Sequence, residues 1–451
     1  MSRARGKARR PQDAPAAIGQ RIELVLERLT HDGRGIGRWQ GRTVFVEGGL
    51  PGEQVTARVM RARRKLLEAR LEQLLQASPE RQPPRCPHVD LCGGCSLQHM
   101  PAATQLQVKQ QALTQQLAHF AGLQPEHWMP ALTGPEYGYR QRTRLSLRWD
   151  GRARRLQVGY RQRASNALVD VTQCPVLLPQ LEQLLKELPA ELSQLHGRET
   201  LGHVELIGGE QPAMIVRHMQ PLAEDDRQRL RALAQRHAMA CYLQSGSTAT
   251  LQLLTDGDAQ PAYRLADQQL SFHFAAGDFT QVNADINQQM VNQALHWLAP
   301  QPGERVLDLF CGVGNFSLPL ARAGAVVTGI EGSAEMVERA AANARLNCLA
   351  QAHFYQADLS NSLEMDWLEA DYDAALLDPP RDGAAEMTAA LARKRVHRIL
   401  YVSCNPATLA RDAGALSAAG YRLVQVGIMD MFPQTAHVEA MALFVSGKDK
   451  K

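Results

Sequence analysis

The sequence predicts an α/β protein: a Rossmann-like, doubly wound sheet over residues 271–451, a small OB-like β-barrel over 16–77 and a central α+β domain over 78–270. Three observations predict it. Arg305–Leu320, RVLDLFCGVGNFSLPL, reads as a short apolar strand, a tight turn at Gly312 and Gly314, and a helix opening near Asn315. Strand, glycine turn and helix N-terminus in that order cradle a nucleotide-like cofactor at the carboxyl edge of a parallel sheet. From Phe272 onward strands alternate with helices, as in an open α/β sheet. From Ile18 to about Gln76 the pattern is instead period-two alternation broken by Gly-rich turns, the signature of a small closed barrel.

Composition bounds the function. A chain of 451 residues is too long for one core. No run of 18 apolar residues occurs, so no membrane helix is expected. The basic N-terminus, MSRARGKARRPQ, lacks the apolar stretch of a signal peptide, which predicts a cytoplasmic protein, and residues 1–15 read as a disordered basic arm. Net charge is only +4, yet the cations cluster. Arg58, Arg61, Arg63, Arg64 and Lys65 form one group, and Arg140–Arg163 holds nine arginines against the single acid Asp150. Basic stretches at separated sites suggest a polyanion larger than a nucleotide.

In the barrel region Ile22, Leu24 and Leu26, then Val44 and Val46, then Val55, Ala57 and Val59, then Leu67, Ala69 and Leu71 alternate as strands. The segment THDGRGIGRWQGRTVFVEGGLPGE resembles the TRAM domain, an RNA-binding barrel carried by several RNA-modifying enzymes.

The next stretch carries Cys86, Cys92 and Cys95 in the spacing C-x5-C-x2-C, with Cys174 in TQCPVL. Four thiolates on Gly/Pro-rich turns suit a tetrahedral zinc or an iron–sulfur cluster, and thiolate count alone does not choose. A helical stripe (Leu106, Leu113, Leu117, Phe120) follows. In Arg142–Arg148, Arg142, Arg144, Ser146 and Arg148 alternate with Thr143, Leu145 and Leu147, so one strand face is basic. Tyr137, Tyr139, Trp149 and Tyr160 interleave, and guanidinium with aromatic rings grips phosphates and stacks unpaired bases.

In the C-terminal domain three strand ends meet at the carboxyl edge: Asp308–Asn315, Asp378–Arg381 and Ser403–Pro406. Ser317 stands where the third glycine of a dinucleotide fingerprint would fall, which argues against NAD, while D-x-F-x-G-x-G is similar to class I S-adenosyl-L-methionine-dependent methyltransferases. Glu331, ending the next strand, is placed to grip ribose hydroxyls. Arg381 after D-P-P disfavours methylation of an exocyclic amine, where an aromatic residue would stack the base. Cys404 ends a strand just before a helix capped by Asn405, a setting expected to lower its thiol pKa from about 8.5. A thiolate beside a methyl donor suits an unreactive ring carbon: addition at C6 of uracil makes C5 nucleophilic. The C5 proton must then leave to a base, for which Glu439 in HVEAM is the candidate, its carboxylate expected to have a raised pKa among Val438, Ala440 and Met441.

With QVN, DLFCGVGNF, LLDPPRDG, SCNP and DMFPQTAHVE in that order, the chain resembles the bacterial RNA (uracil-5-)-methyltransferase family over nearly its whole length. The resemblance implies cofactor contacts from Gln281, Phe310, Asn315, Glu331, Asp358 (where relatives can carry Asn) and Asp378, with Cys404 as nucleophile and Glu439 as base. It implies a [4Fe-4S] cluster on Cys86, Cys92, Cys95 and Cys174. It implies a 23S ribosomal RNA substrate, because transfer-RNA members are expected to match only the catalytic part, and no obligate protein partner. Methylation of transfer RNA, or a cluster-bearing RNA-binding protein without methyl transfer, are the alternatives.

Overall fold

The computed structural model describes residues 18–30, 32–246, 250–257, 260–275, 277–360 and 366–447; the arm expected over 1–15 lies outside them. The chain divides into two compact units, one of residues 1–85, 95–112 and 434–436, the other of 86–94, 113–433 and 437–451.

In the first unit β1 (Arg21–Leu29), β2 (Gly35–Trp39), β3 (Arg42–Glu47), β4 (Gln54–Ala62) and β5 (Leu66–Gln76) close into a barrel in the order β1-β2-β3-β5-β4. The alternating residues read from the sequence form its core: Ile22, Leu24, Leu26, Val44, Val46, Val55, Ala57, Val59, Leu67 and Ala69 are all buried. Part of the expected turn HDGRGIG is itself a strand. Gly37 is required there, since a Cβ would lie 2.4 Å from the Val25 carbonyl oxygen. Helix α1 (Ala102–Gln116) begins in this unit. The side chain of its Gln105 donates to Gln434 Oε1 at 3.0 Å and accepts from the Gln434 backbone N–H at 2.9 Å. The expected stripe holds at Leu113 and Leu117, but Phe120 is 61% exposed, because a π-turn at Leu117–Ala121 shifts the helical phase.

The second unit holds two sheets. After β6 (His127–Trp128) come β7 (Arg142–Asp150), β8 (Arg155–Arg161), β9 (Leu168–Asp170), α2 (Pro179–Ser193), β10 (Leu201–Ile207), β11 (Ala213–His218), α3 (Glu224–Arg236), β12 (Ala240–Gln244) and β13 (Leu251–Leu253). Their sheet runs β13-β12-β11-β10-β7-β8-β9. Pro179 opens α2 at its first turn, where a missing N–H costs nothing. Leu181, Leu184, Leu185, Leu188 and Leu192 then fall on one face and are buried against the sheet, each stabilising by roughly 1.5–3 kcal/mol. On β7, Thr143, Leu145 and Leu147 point inward while Arg144 and Arg148 are exposed, as the alternation predicts. Cys241 is packed in this core.

A short hairpin, β14 (Ala262–Leu265) and β15 (Leu270–His273), leads into α4 (Ala284–Leu298), which is capped by Asn283. Then come β16 (Arg305–Leu309), α5 (Ser317–Arg322), β17 (Val326–Glu331), α6 (Ala334–Leu346), β18 (Ala352–Gln356), the single turn α7 (Asp366–Glu369), β19 (Ala374–Leu377), α8 (Ala385–Lys394), β20 (Arg398–Ser403), α9 (Pro406–Ala418), β21 (Tyr421–Met429) and β22 (Glu439–Ser446). The sheet order is β18-β17-β16-β19-β20-β22-β21-β6. Strands β16 to β20 are mutually parallel, whereas β22 pairs antiparallel with both β20 and β21. The order reverses at β16, between β17 and β19, and a crevice opens at such a switch point. Because β22 runs backwards, its first residue lies at the same edge as the last residues of the parallel strands.

Candidate active site

The glycine turn after β16 has the expected form. Gly312 and Gly314 have φ of 57° and 94°, and Phe310 has φ 65°, a conformation that is strained for a bulky side chain. A Cβ on Gly314 would meet Leu318 Cδ1 at 2.4 Å. Helix α5 opens at Ser317, two residues beyond the expected start. At the end of β17, Glu331 accepts from the backbone N–H of Gly312 at 3.1 Å, Gly332 at 2.8 Å and Ser333 at 3.1 Å. The carboxylate thus spans the mouth of the turn.

Asn315 is held by its neighbours. Its Oδ1 accepts from Tyr263 Oη at 2.9 Å and Asn287 Nδ2 at 3.1 Å, and its Nδ2 donates to Asn287 Oδ1 at 2.9 Å. Gln281 lines a cavity of about 240 Å³ with Gln141, Arg142, Tyr263 and Asn287. Asp358 lies on the same edge beyond β18, exposed, and accepts from Ser360 N at 2.9 Å and Ser360 Oγ at 2.6 Å. The Asp378 carboxyl, just past β19, is pushed up to about 7 by burial.

Sequence reasoning placed Asp308 in the D-x-F-x-G-x-G motif beneath this cradle but gave it no role of its own. Fully buried, it accepts from Ser317 Oγ, and its Oδ1 has no hydrogen-bond partner. Burial raises its carboxyl to about 7; the charges of Asp378 and Glu331 push the same way, and the Ser317 hydrogen bond opposes them. The signal was present in the motif, where a serine replaces the third glycine at the distance that reaches back to an aspartate. These features fit a cofactor of the S-adenosyl-L-methionine type: an open glycine cradle, carboxyl groups at two strand ends and one buried acceptor atom left unpaired.

Cys404 follows β20. Ser403 pairs with Ala440, so Cys404 and Glu439 stand level across the β20–β22 pair. The helix behind the thiol is built as expected: Asn405 Oδ1 accepts from Ala407 N at 3.1 Å, and Pro406 occupies the first turn. Asn405 Nδ2 also donates to the Arg381 carbonyl at 2.9 Å, tying the D-P-P-R loop to α9. Asp412 reinforces that tie, accepting from Ala384 N at 2.9 Å and Tyr401 Oη at 2.7 Å.

The expected lowering of the thiol pKa is corrected here. Cys404 is pushed up to about 11, by burial first and then by the charges of Glu439 and Asp378, against the opposing pull of Arg381. One helix N-terminus does not offset desolvation together with two carboxylates. Arg381 and His437, not singled out as site residues from sequence, meet here: an Arg381 guanidinium nitrogen lies 3.1 Å from His437 Nδ1.

The cysteine-rich region is less complete. Among the described residues no group of three or more His, Cys, Asp or Glu side chains is arranged to hold a metal ion. The iron–sulfur centre implied by resemblance is therefore not shown. Within the second unit, Cys92 bridges to Gln162, and Tyr160 Oη lies 4.0 Å from Cys174 Sγ. Burial raises the Cys86 and Cys92 thiols above the ordinary thiol range. Also among the described residues, no helix is long and apolar enough to cross a membrane.

Comparison with known proteins agrees with this geometry. The tRNA (Uracil-5-)-methyltransferase family matches residues 102–446, and the TRAM domain matches 15–71. A Pseudomonas aeruginosa protein named 23S rRNA (uracil(1939)-C(5))-methyltransferase RlmD is 52% identical over 431 residues, covering 95% of both chains. Its Pseudomonas putida namesake is 51% identical over 444 residues, covering 98% of this chain and 97% of its own. The solved structure of Pyrococcus abyssi tRNA (uracil-54, C5)-methyltransferase with S-adenosyl-L-homocysteine matches with TM-score 0.73 and 26% identity, over 94% of this chain and 99% of that one. That last match corrects an expectation: a transfer-RNA enzyme spans nearly the whole chain, so the N-terminal sections do not by themselves select ribosomal RNA. The fold is that of an S-adenosyl-L-methionine-dependent methyltransferase with an N-terminal TRAM barrel, and the chain belongs to the tRNA (Uracil-5-)-methyltransferase family.

Proposed function

We propose that the protein methylates C5 of one uridine in 23S ribosomal RNA, in the cytoplasm, through a transient bond between Cys404 and C6. The observation that carries this reading is the pairing of Ser403 with Ala440, which sets a thiol and a carboxylate face to face at the cofactor edge. Identity of 52% to a ribosomal RNA enzyme, against 26% to a transfer-RNA enzyme, favours the ribosomal substrate. The uridine named in those relatives, 1939, is the position to test.

Gln281, Phe310, Asn315, Glu331, Asp358 and Asp378 would hold S-adenosyl-L-methionine, which when bound supplies the electrophilic methyl group that C5 accepts. The chain's own residues do the rest. The target base is extruded from its stack to reach a half-buried thiol. Cys404 loses its proton to solvent and its sulfur adds to C6, placing electron density on C5. Once C5 carries the methyl group, Glu439 takes the C5 proton, the C5–C6 double bond re-forms and the thiolate leaves. Since the free thiol is protonated, attack begins only when the bound base and Arg381 offset the surrounding carboxylates. Exposed Arg144 and Arg148 on β7 supply phosphate contacts.

Cys86, Cys92, Cys95 and Cys174 are proposed as ligands of a [4Fe-4S] cluster; the C-x5-C-x2-C spacing with a distant fourth cysteine supports this. Anaerobically purified protein should be brown and contain iron and sulfide, whereas colourless protein containing zinc would overturn the assignment. The function is tested by methyl transfer to purified 23S ribosomal RNA and to transfer RNA, with mapping of the product nucleotide. Activity on transfer RNA alone would sink the proposal.

A further inference from the structure

The charge of Arg381 acts on the Cys404 thiol against burial and two carboxylates, and the residue sits on the protein surface. Its main chain is fixed: the carbonyl accepts from Asn405 Nδ2 at 2.9 Å and Thr408 Oγ1 at 3.3 Å. An exposed guanidinium would otherwise sample many rotamers. Its head is caught by His437, at 3.1 Å from Nδ1, and the His437 ring in turn packs at 5.4 Å from the Phe432 ring. An arginine can only donate, so Nδ1 is the acceptor and the neutral ring carries its proton on Nε2. Two residues apart where the chain enters β22, His437 thus meets the arginine and Glu439 is the proposed base.

We infer that His437 is a positioning residue, whose Nδ1 holds the Arg381 guanidinium beside Cys404 and thereby favours the thiolate during addition. The inference rests on the proposed nucleophilic role of Cys404. The charged groups facing the thiol are Glu439 from β22, Asp378 from the loop after β19 and Arg381 itself. An imidazolium has no acceptor nitrogen, so the hold requires neutral His437.

The test uses the full-length protein and a 23S ribosomal RNA fragment carrying 5-fluorouridine, with which the adduct cannot eliminate. Three variants are compared: His437→Asn, whose amide oxygen falls near the Nδ1 position, His437→Gln, whose oxygen falls nearer Nε2, and His437→Leu. Rates of adduct formation are followed from about pH 6 to 9, around the imidazole and thiol ranges. His437→Leu and His437→Gln should slow adduct formation about three- to tenfold, since one unit in thiol pKa changes the thiolate fraction tenfold and nucleophilicity returns part of it. Their pH profiles should move upward by up to about one unit, with RNA affinity unchanged, and His437→Asn should recover most of the rate. In an Arg381→Gln background, His437→Leu should have no further effect.

Equal rates for His437→Leu and wild type would overturn the inference, as would a loss confined to RNA affinity, or indistinguishable Asn and Gln variants. Asn and Gln are both amides at an exposed position, so their comparison does not depend on a folding defect. If the wild-type protein itself forms no adduct, the proposed function fails instead, and the two failures are told apart.

Discussion

Glu439 faces Cys404 because Ser403 and Ala440 are register partners in an antiparallel pair. Residues almost level across two strands lie within about 5.5 Å at Cα, close enough for one group to change the other's ionisation. The effect is visible: Glu439 is the leading charge that raises the Cys404 thiol.

Removing that charge separates the two chemical steps. Glu439→Gln should form the RNA adduct readily, and at lower pH than wild type, because a neutral amide no longer opposes the thiolate. It should then stall, with turnover reduced roughly 10²- to 10⁴-fold. Denaturing gel electrophoresis of the protein–RNA adduct, beside a turnover assay, checks both halves. Cys404→Ala should give neither adduct nor product while still binding cofactor, as measured by calorimetry.

Asp308 predicts a dependence of stability on pH. Its folded pKa, about 7, lies above the ordinary aspartate value of 3.8, so the folded state holds this proton more tightly. The associated stability is therefore present below about pH 4 and is lost as pH rises through about 7. The three-unit difference corresponds to at most about 4 kcal/mol. Asp308→Asn keeps an acceptor for Ser317 and carries no charge, so it should stabilise the ligand-free protein at about pH 8 and have little effect near pH 4. Urea denaturation at the two pH values reads the difference.

Asp412 ties the D-P-P-R loop to α9. Asp412→Ala would orphan the buried N–H of Ala384 and the Tyr401 hydroxyl, at a cost of about 2–5 kcal/mol. It should also lower activity by loosening the Arg381 loop. Denaturant midpoints and turnover at a temperature where the variant stays folded check the two effects.

Replacing Arg144 and Arg148 by glutamine should weaken RNA binding in a salt-dependent way. Each lost phosphate contact reduces the slope of log K against log salt by about 0.7–0.9. Filter binding from about 50 to 200 mM salt measures it, and an unchanged slope would remove this strand from the interface.

Much of this was legible in the chain itself. Ile22, Leu24 and Leu26 alternate because a half-buried strand repeats every two residues, and the barrel followed. RVLDLFCGVGNF announced its turn because Gly312 and Gly314 adopt a backbone conformation few other residues accept. Asn405 and Pro406 marked a helix start by local hydrogen bonding alone. Those signals are short-range, carried by backbone sterics and periodicity. What the tertiary structure decided is the balance of forces on Cys404. Sequence showed the stabilising helix terminus, a local feature, but not the burial or the carboxylates of Asp378 and Glu439, which are 26 and 35 residues away in the chain. The Arg381–His437 contact, spanning 56 residues, belongs to the same class. Desolvation and charge act through space, so the ionisation of a site is set where distant segments converge.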